Sequence, residues 1–291
     1  MKRALWTQPI TKRCSPAWPC PSCANGTLAL VQNSLVEKET TESRKRYEIL
    51  GEPDLITTTF SAWLKCSNDE CGEKVVVVGI GKVVEVEKGE DDHVDDYIAE
   101  ETEDIAPLPK YGKIYQPLFC FPMPDMFELP EKCPTEVKSE LRAGFRLFWS
   151  DQAAAAGRVR VSLERLMDHH RIPKRGKNKK GKFFTLDLNT RIKKFSERND
   201  IAGKQLMALK WLGNTGSHEG SVNRDDVLAG FEILEYLIAE HFDRRAARVA
   251  KLARQLTRKH SPWRKIQNSS EVCGTTIDAA QKTGRAWVGR D

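Results

Sequence analysis

The sequence of 291 residues predicts an α+β protein in which a small β domain is followed by a mainly α-helical domain. Three short stretches rich in β-branched and aromatic residues lie in the first third of the chain. From about residue 135 onward, apolar residues recur instead at helical spacing. Four cysteines form two closely spaced pairs within the predicted β region, which suggests that the β domain is organised around a metal ion.

The predicted strands cover residues 27–31, 57–66 and 74–80. Each is short and dominated by residue types that favour a pleated, half-buried surface. Between the first two strands, the polar and charged residues 37–48 are expected to form a hairpin tip or a loop.

Composition limits the classes of protein to which the chain can belong. No apolar run approaches the roughly 20 residues that a membrane-spanning helix requires, so we expect no membrane insertion. The first residues are basic but lack the apolar stretch of a secretory signal, and we therefore expect a cytoplasmic protein. The net charge of +6 is compatible with nucleic-acid binding without requiring it.

In a cytoplasmic protein, closely spaced cysteines indicate metal binding before disulfides. Cys20 and Cys23 form the motif CPSC, and Cys66 and Cys71 form CSNDEC. Two such pairs on separate hairpins supply four thiolates, the ligand set of a structural zinc ion. We therefore predict a zinc ribbon, with unligated thiols in a small β domain as the alternative. The remaining cysteines have no partner at metal-ligand spacing: Cys14, Cys120, Cys133 and Cys273.

The region between the two domains is acidic and then rich in proline. Residues 85–104 are dense in Asp and Glu, which favours a solvated linker. Prolines are frequent over residues 107–134, so we expect an extended strap that packs on a surface. The predicted organisation is a zinc-ribbon-like β domain (14–87), a linker and strap (88–133), a helical bundle (134–260) and a disordered tail (261–291).

Helical periodicity begins after residue 134. The pattern through residues 137–167 fits one long helix or two helices broken near Ser150 and Asp151. Shorter helices are predicted over residues 186–199 and 200–213, and a long one over 223–259 with Asp225 and Asp226 in its first turn.

Several of these motifs are familiar in combination. WPCPSC, LKCSNDEC, LFWSDQAAAAGRVRVSLERLMD, LMALKWLGNTGSHEG and DDVLAGFEILEYL together resemble the bacterial domain-of-unknown-function family 4145, over about residues 18–245. That family is similar to the HEPN superfamily of helical bundles. The resemblance implies a four- to five-helix bundle, often a homodimer, in prokaryotic proteins that frequently serve phage defence or restriction.

Many HEPN proteins are metal-independent ribonucleases, with a site made of an Arg, usually an Asn, about three further residues and a His. In this chain Asn214 and His218 match the motif, but Gly213 stands at the Arg position. Lys210, one helical turn earlier, is the nearest cation that can replace that Arg. His218 would move a proton and Asn214 would orient the phosphate. The alternative is that Gly213 ends a helix in a left-handed turn and the motif is a corner of the bundle.

A second candidate site is the basic segment 171–184, predicted to be a loop. Its cations can neutralise phosphates of RNA or DNA, and the two phenylalanines that follow can stack on bases. The alternative is a solvated connection between helices. The candidate nucleic-acid contacts are Arg171, Lys174, Arg175, Lys177, Lys179, Lys180 and Lys182.

Three functions remain open from the sequence. The first is a non-catalytic or sensory module that recognises nucleic acid or another protein. The second is an endoribonuclease acting through His218 and Asn214. The third is a structural adaptor that docks a protein partner through the zinc ribbon.

Overall fold

The computed structural model describes residues 1–23, 25–86, 110–218, 222–243 and 245–260. Residues 1–242 form one compact unit, and a second unit begins at Asp243. Most of the predicted acidic linker and the whole predicted tail lie outside the described residues. The α+β class is confirmed, because an antiparallel sheet is followed by a mostly helical region.

The sheet has five antiparallel strands in the order β1-β3-β4-β5, with β2 paired to the first half of β3. Its strands are β1 (Leu28–Leu30), β2 (Val36–Glu39), β3 (Thr57–Cys66), β4 (Lys74–Val86) and β5 (Lys110–Phe121). Side chains of β3 alternate strictly, and the even-numbered ones from Thr58 to Cys66 are buried. One face of the sheet therefore belongs to the core and the other is open.

The polar segment 37–48 is not the predicted loop, because it contains β2 and a helix, α2 (Thr41–Leu50). Thr40 caps α2 by accepting a hydrogen bond from the Ser43 N–H at 3.1 Å, and Gly51 ends it with φ +70°. The helix is almost entirely exposed, so it has no apolar stripe that periodicity can detect.

The proline-rich region was expected to be an extended strap lying on a surface. Residues 110–121 instead form the strand β5, which pairs with β4 and completes the sheet. Pro117 is accommodated where the β4–β5 register shifts between Val78 and Gly79. A proline cannot donate to a strand ladder, and an irregular position on an edge strand tolerates that loss.

Residues 135–169 form two helices, whereas the sequence pattern was compatible with either one long helix or two. Asp151 separates them, and its side chain caps the second by accepting a hydrogen bond from Ala154 N–H at 2.8 Å. The helices α3 to α7 are α3 (Thr135–Leu147), α4 (Gln152–His169), α5 (Leu188–Ser196), α6 (Asp200–His218) and α7 (Arg224–Ile238). Helix α4 is central and packs against each of the other four.

The long helix predicted over residues 223–259 is interrupted. Helix α7 ends at Ile238, a π-helical turn covers Ala239–Asp243, and α8 (Arg245–His260) follows in the second unit. In the π turn the His241 ring nitrogen Nδ1 lies 3.0 Å from the carbonyl oxygen of Leu237, four residues earlier. None of the described helices has the length and apolar character that crossing a membrane requires.

Sheet and helices share one hydrophobic core, so the linker does not separate two independent domains within residues 1–242. The N-terminal segment, including the short helix α1 (Ala4–Thr7), joins them. Trp6 stacks on Trp18 with ring centroids 6.1 Å apart, and Trp149 lies 5.0 Å from Trp18. Ile10 bridges to Tyr115 of β5, which attaches the same segment to the sheet.

Candidate functional site

The four paired cysteines come together at one end of the sheet. All four Sγ atoms lie within 4.8 Å of one another, with Cys20–Cys71 and Cys23–Cys66 both at 3.7 Å. Disulfide sulfurs would be about 2.05 Å apart. Thiolates at about 2.3 Å from a shared zinc ion stand about 3.8 Å apart in a tetrahedron, which matches these two separations. The cluster can therefore hold one metal ion.

The two cysteine turns are built alike. The Ser22 N–H points to the Sγ of Cys20 at 3.4 Å, and the Asn68 N–H points to the Sγ of Cys66 at the same distance. The Asn68 side-chain nitrogen approaches Cys23 at 3.9 Å. N–H donors aimed at sulfur favour the thiolate, which is the form that binds metals.

Gly26 allows the two turns to meet. A Cβ at this position would lie 2.4 Å from the Sγ of Cys66, so a larger residue has to displace that sulfur. The local environments of the thiols differ. Hydrogen bonding from the backbone of Gly26 is the main cause that lowers the pKa of Cys23 to about 6. Burial raises the pKa of Cys66 to about 12.

The GNTGSH motif is not a corner after Gly213, and that prediction is wrong. Helix α6 continues through the motif and ends at His218, and α7 begins at Arg224 with Asn223 as its cap. The cap accepts a hydrogen bond from Asp226 N–H at 2.8 Å. The connection between the two helices therefore lies after the motif.

The glycines of the motif serve helix packing. A Cβ on Gly213 would lie 2.5 Å from the Cβ of Arg160 and 3.0 Å from the carbonyl oxygen of Ala156. A Cβ on Gly216 would lie 2.8 Å from the carbonyl oxygen of Ala153. Helices α4 and α6 thus approach through their backbones, and this packing outweighs the roughly 1 kcal/mol by which glycine disfavours a helix.

The described residues show the surroundings of two of the three predicted catalytic side chains, Lys210 and Asn214. Lys210 is buried, with its Nζ 3.5 Å from the ring centroid of Trp211 and 3.4 Å from the side-chain oxygen of Asn189. Asn214 is half-buried one turn further along α6. The side chain of His218 lies outside the described residues, so its role stays a prediction.

The basic segment is a short β-hairpin rather than a loop. Strands β6 (Arg175–Lys177) and β7 (Phe183–Thr185) pair with each other, and Gly181 turns the chain with φ +77°. The Asn178 side-chain oxygen accepts hydrogen bonds from the backbone N–H groups of Lys180 at 3.0 Å and Lys182 at 2.9 Å. The tip therefore has a defined conformation that holds its lysines outward.

The charges of this hairpin are largely unpaired. Lys174 forms an ion pair with Asp168 at 2.8 Å, and Arg191 binds the same carboxylate at 2.7 Å. The other six predicted cations have no ion-pair partner within the described part of the chain: Arg171, Arg175, Lys177, Lys179, Lys180 and Lys182. Phe183 and Phe184 are 62% and 49% exposed beside them.

Comparison with known families divides the chain between two of them. Residues 142–268 match the family Domain of unknown function (DUF4145). Residues 8–111 match the family Domain of unknown function (DUF8608). The predicted resemblance to family 4145 is thus confirmed for residues 142–268, whereas the four cysteines lie within the other match. Comparisons with curated proteins and with solved structures find no match.

A histidine cluster that sequence reasoning missed lies at the end of α4. His169 and His170 are neighbours in the sequence. The ring of His241, from the distant π turn, also packs 5.1 Å from the ring of His170. Phe195 of α5 closes the other side at 5.1 Å. Burial, together with repulsion from His241, His169 and Arg198, lowers the pKa of His170 to about 4.

This depressed pKa predicts acid sensitivity. The pKa of a histidine is near 6.5 in the unfolded chain, whereas that of His170 in the folded protein is about 4. Between these two pH values the unfolded chain therefore binds a proton at this position and the folded protein does not. Stability is therefore lost as pH falls from about 6.5, by about 1–2 kcal/mol at pH 5. We expect a His170→Asn protein to show a smaller fall in Tm between pH 7 and pH 5. Substitution of the exposed His260 is the control, and an unchanged pH profile in His170→Asn would contradict the prediction.

Proposed function

We propose that this protein is a non-catalytic nucleic-acid-binding module whose β6–β7 hairpin contacts the phosphate backbone. The observation that carries the proposal is the set of six exposed cations, on and beside a structured hairpin, that have no ion-pair partner among the residues the structure describes. Residues 171–185 contain no Asp or Glu, so no acidic group within the hairpin competes with phosphate. Cations on such a ribbon release counterions when they meet phosphates, which supplies affinity without sequence preference.

The tip of the hairpin is already ordered before a ligand binds, which lowers the entropic cost of binding. The Asn178 bonds already hold the backbone of the tip, so mainly the lysine side chains lose freedom on binding. Lys177 lies over the ring of Phe183 at 4.8 Å, which places a cation and an aromatic surface side by side. Both groups can contact one nucleotide, the first at its phosphate and the second at its base.

Charge removal at the tip tests this function. We expect a protein with Lys179→Gln, Lys180→Gln and Lys182→Gln to bind a labelled oligonucleotide at least tenfold more weakly at about 50 mM salt, because about three phosphate contacts are lost. The slope of log affinity against log salt should fall by about 2–3. Fluorescence anisotropy across a salt series measures both quantities.

A matched control removes the same charge elsewhere. Lys2, Lys45 and Lys132 are exposed and lie outside the hairpin, so their replacement by glutamine leaves the net charge equal to that of the tip variant. We expect binding by this control to stay close to that of the wild type. Equal losses in the two triple variants would indicate a general charge effect and would contradict the hairpin site.

We also propose that the cysteine cluster binds structural zinc and that the cysteine-bearing sheet is a zinc ribbon. Four thiolates suit zinc, and a shell of four protein ligands leaves no coordination position for a substrate. The equivalent N–H···S contacts at Cys20 and Cys66 support a preformed site. The role of the ion is then to hold the two cysteine turns together.

For the helical region we propose a HEPN-like bundle without the nuclease chemistry. The helices around α4 and the match over residues 142–268 support the bundle. The ribonuclease alternative has less support, because Lys210 is buried against Trp211 and Asn189. Gly213, at the position of the HEPN arginine, packs tightly on α4. A role in phage defence remains an expectation from the resemblance.

A further inference from the structure

The open side of the N-terminal sheet carries an aromatic surface. Trp63, Phe119 and Phe121 are 48%, 45% and 62% exposed. Strand register places Trp63 beside Val76 and Val76 beside Phe121, which forms one apolar row across three strands. We call the surface formed by the three aromatic side chains the aromatic face.

A strand irregularity contributes to this face. Val78 pairs with Phe119 but Gly79 pairs with Pro117, so Leu118 is an extra residue in β5. Both Leu118 and Phe119 are consequently exposed, although neighbours along a regular strand point to opposite sides. Gly79 cannot carry a side chain here, since a Cβ would lie 2.1 Å from the Gln116 carbonyl oxygen.

Cations border the aromatic face without acidic partners. Lys65 and Lys74 lie directly opposite each other on β3 and β4, in the row next to Trp63. Lys38 and Lys82 extend the same side of the sheet, and none of the four has an ion-pair partner in the described ranges. From the Lys65–Lys74 row to the Thr57–Lys82 row, no outward position of β3 or β4 carries Asp or Glu.

The charges around the aromatic face favour an anionic ligand over a second copy of the chain. Like charges directly opposite each other on a sheet are unfavourable, and an anionic ligand relieves that repulsion. A second copy of the chain, applied face to face, would bring two lysine-bordered surfaces together without the anions they need. Nucleic acid offers phosphates for Lys65 and Lys74 and planar bases for the aromatic rings. Bases in a duplex are already stacked on each other, so only unpaired bases can use such a face.

We propose that the aromatic face, with Lys65 and Lys74, binds single-stranded nucleic acid by base stacking. This inference deepens the proposed nucleic-acid binding by naming unpaired strands as the ligand, and it depends on a surface other than the hairpin. Phosphates meet the lysine pair while successive bases stack on Trp63, Phe121 and Phe119.

The test uses the full chain with zinc supplied, a labelled oligo(dT) of about 16 nucleotides and a duplex of the same length. Leucine replaces Trp63, Phe119 and Phe121, because it keeps the surface apolar but cannot stack. Since stacking contributes about 1–3 kcal/mol per base, we expect at least a tenfold loss in oligo(dT) affinity with little change for the duplex. A Lys65→Gln/Lys74→Gln protein should lower the salt dependence of oligo(dT) binding. Circular dichroism and Tm verify that the variants are folded.

Distinct outcomes separate this inference from the proposed hairpin function. Unchanged oligo(dT) affinity in the leucine variant overturns the stacking face, whatever the hairpin variant does. Equal losses for oligo(dT) and duplex also overturn it, because base stacking requires unpaired bases. A leucine variant that loses a dimer or a captured protein partner, with oligo(dT) binding intact, identifies the face as a protein interface instead. If the leucine variant loses oligo(dT) affinity and the hairpin variant loses none, the hairpin function fails and the stacking face stands.

Discussion

Replacing Cys66 by serine is expected to abolish stoichiometric zinc binding and to lower Tm by about 10–20 °C. Cys66 ends the central strand β3, and its sulfur lies 3.7 Å from that of Cys23. Structural zinc contributes about 10–16 kcal/mol of apparent binding free energy in small zinc domains. Here the shared core supports part of the sheet without metal, so we expect a loss of about 5 kcal/mol, which corresponds to that fall in Tm.

The measurements are zinc content by mass spectrometry and thermal unfolding of reduced protein. Wild-type protein should contain one zinc ion per chain. Cys14 is exposed and outside the cluster, so Cys14→Ser serves as the matched control and should retain both zinc and Tm. Reduced wild-type protein without metal, or a Cys66→Ser protein with a full equivalent of zinc, would contradict the proposal.

Gly26 provides a second way to disturb the same centre without removing a ligand. In Gly26→Ala the new Cβ lies 2.4 Å from the Sγ of Cys66 unless the backbone moves. We expect zinc affinity to decrease while all four thiols remain. A competition titration with a chromophoric chelator measures this decrease, and unchanged affinity would show that the turns are not held as closely as the structure indicates.

Two glycine-to-alanine substitutions should move stability in opposite directions. Gly157 of α4 has open space around its Cβ position, so Gly157→Ala should stabilise the protein by about 0.5–1 kcal/mol through helix propensity. In Gly213→Ala the Cβ meets the Cβ of Arg160 at 2.5 Å, and α4 and α6 have to separate. Such overpacking costs about 1–3 kcal/mol, which exceeds the propensity gain.

Urea denaturation of both proteins measures the contrast, and each variant is the other's control. An increase in stability for Gly213→Ala similar to that for Gly157→Ala would mean that α4 and α6 do not pack closely at this point. Arginine at position 213, as in the HEPN motif, carries the same Cβ and is expected to destabilise the helix pair as well. Gly213 is therefore explained by the close packing of α6 on α4, and it does not end the helix.

Local patterns were sufficient for much of the fold and for the cluster of four cysteines. A stretch rich in β-branched and aromatic residues predicted β3 over residues 57–66, which are its observed bounds. The spacing of Cys20–Cys23 and Cys66–Cys71 was enough to select, out of eight cysteines, the four that lie together and could hold a metal ion. Such patterns are readable because each depends on residues that are neighbours along the chain.

Other features depend on residues that are distant in sequence. Gly213 looks like a helix end by itself, and only the atoms of Arg160 and Ala156 against it explain why the helix continues. Proline predicted a strap for residues 107–134, but pairing with β4 turned residues 110–121 into a strand.

Composition and spacing were thus sufficient to predict the α+β class, the set of four clustered cysteines and the position of a basic segment. The approach of α4 to α6, the aromatic face and the histidine cluster around His170 emerged only when the chain was folded. Each arises where separate elements meet, as Trp63, Val76 and Phe121 do across three strands. Local sequence patterns report which residues are apolar or charged. They do not report which of those residues the packed core covers, and that distinction separates a buried Lys210 from an exposed Phe121.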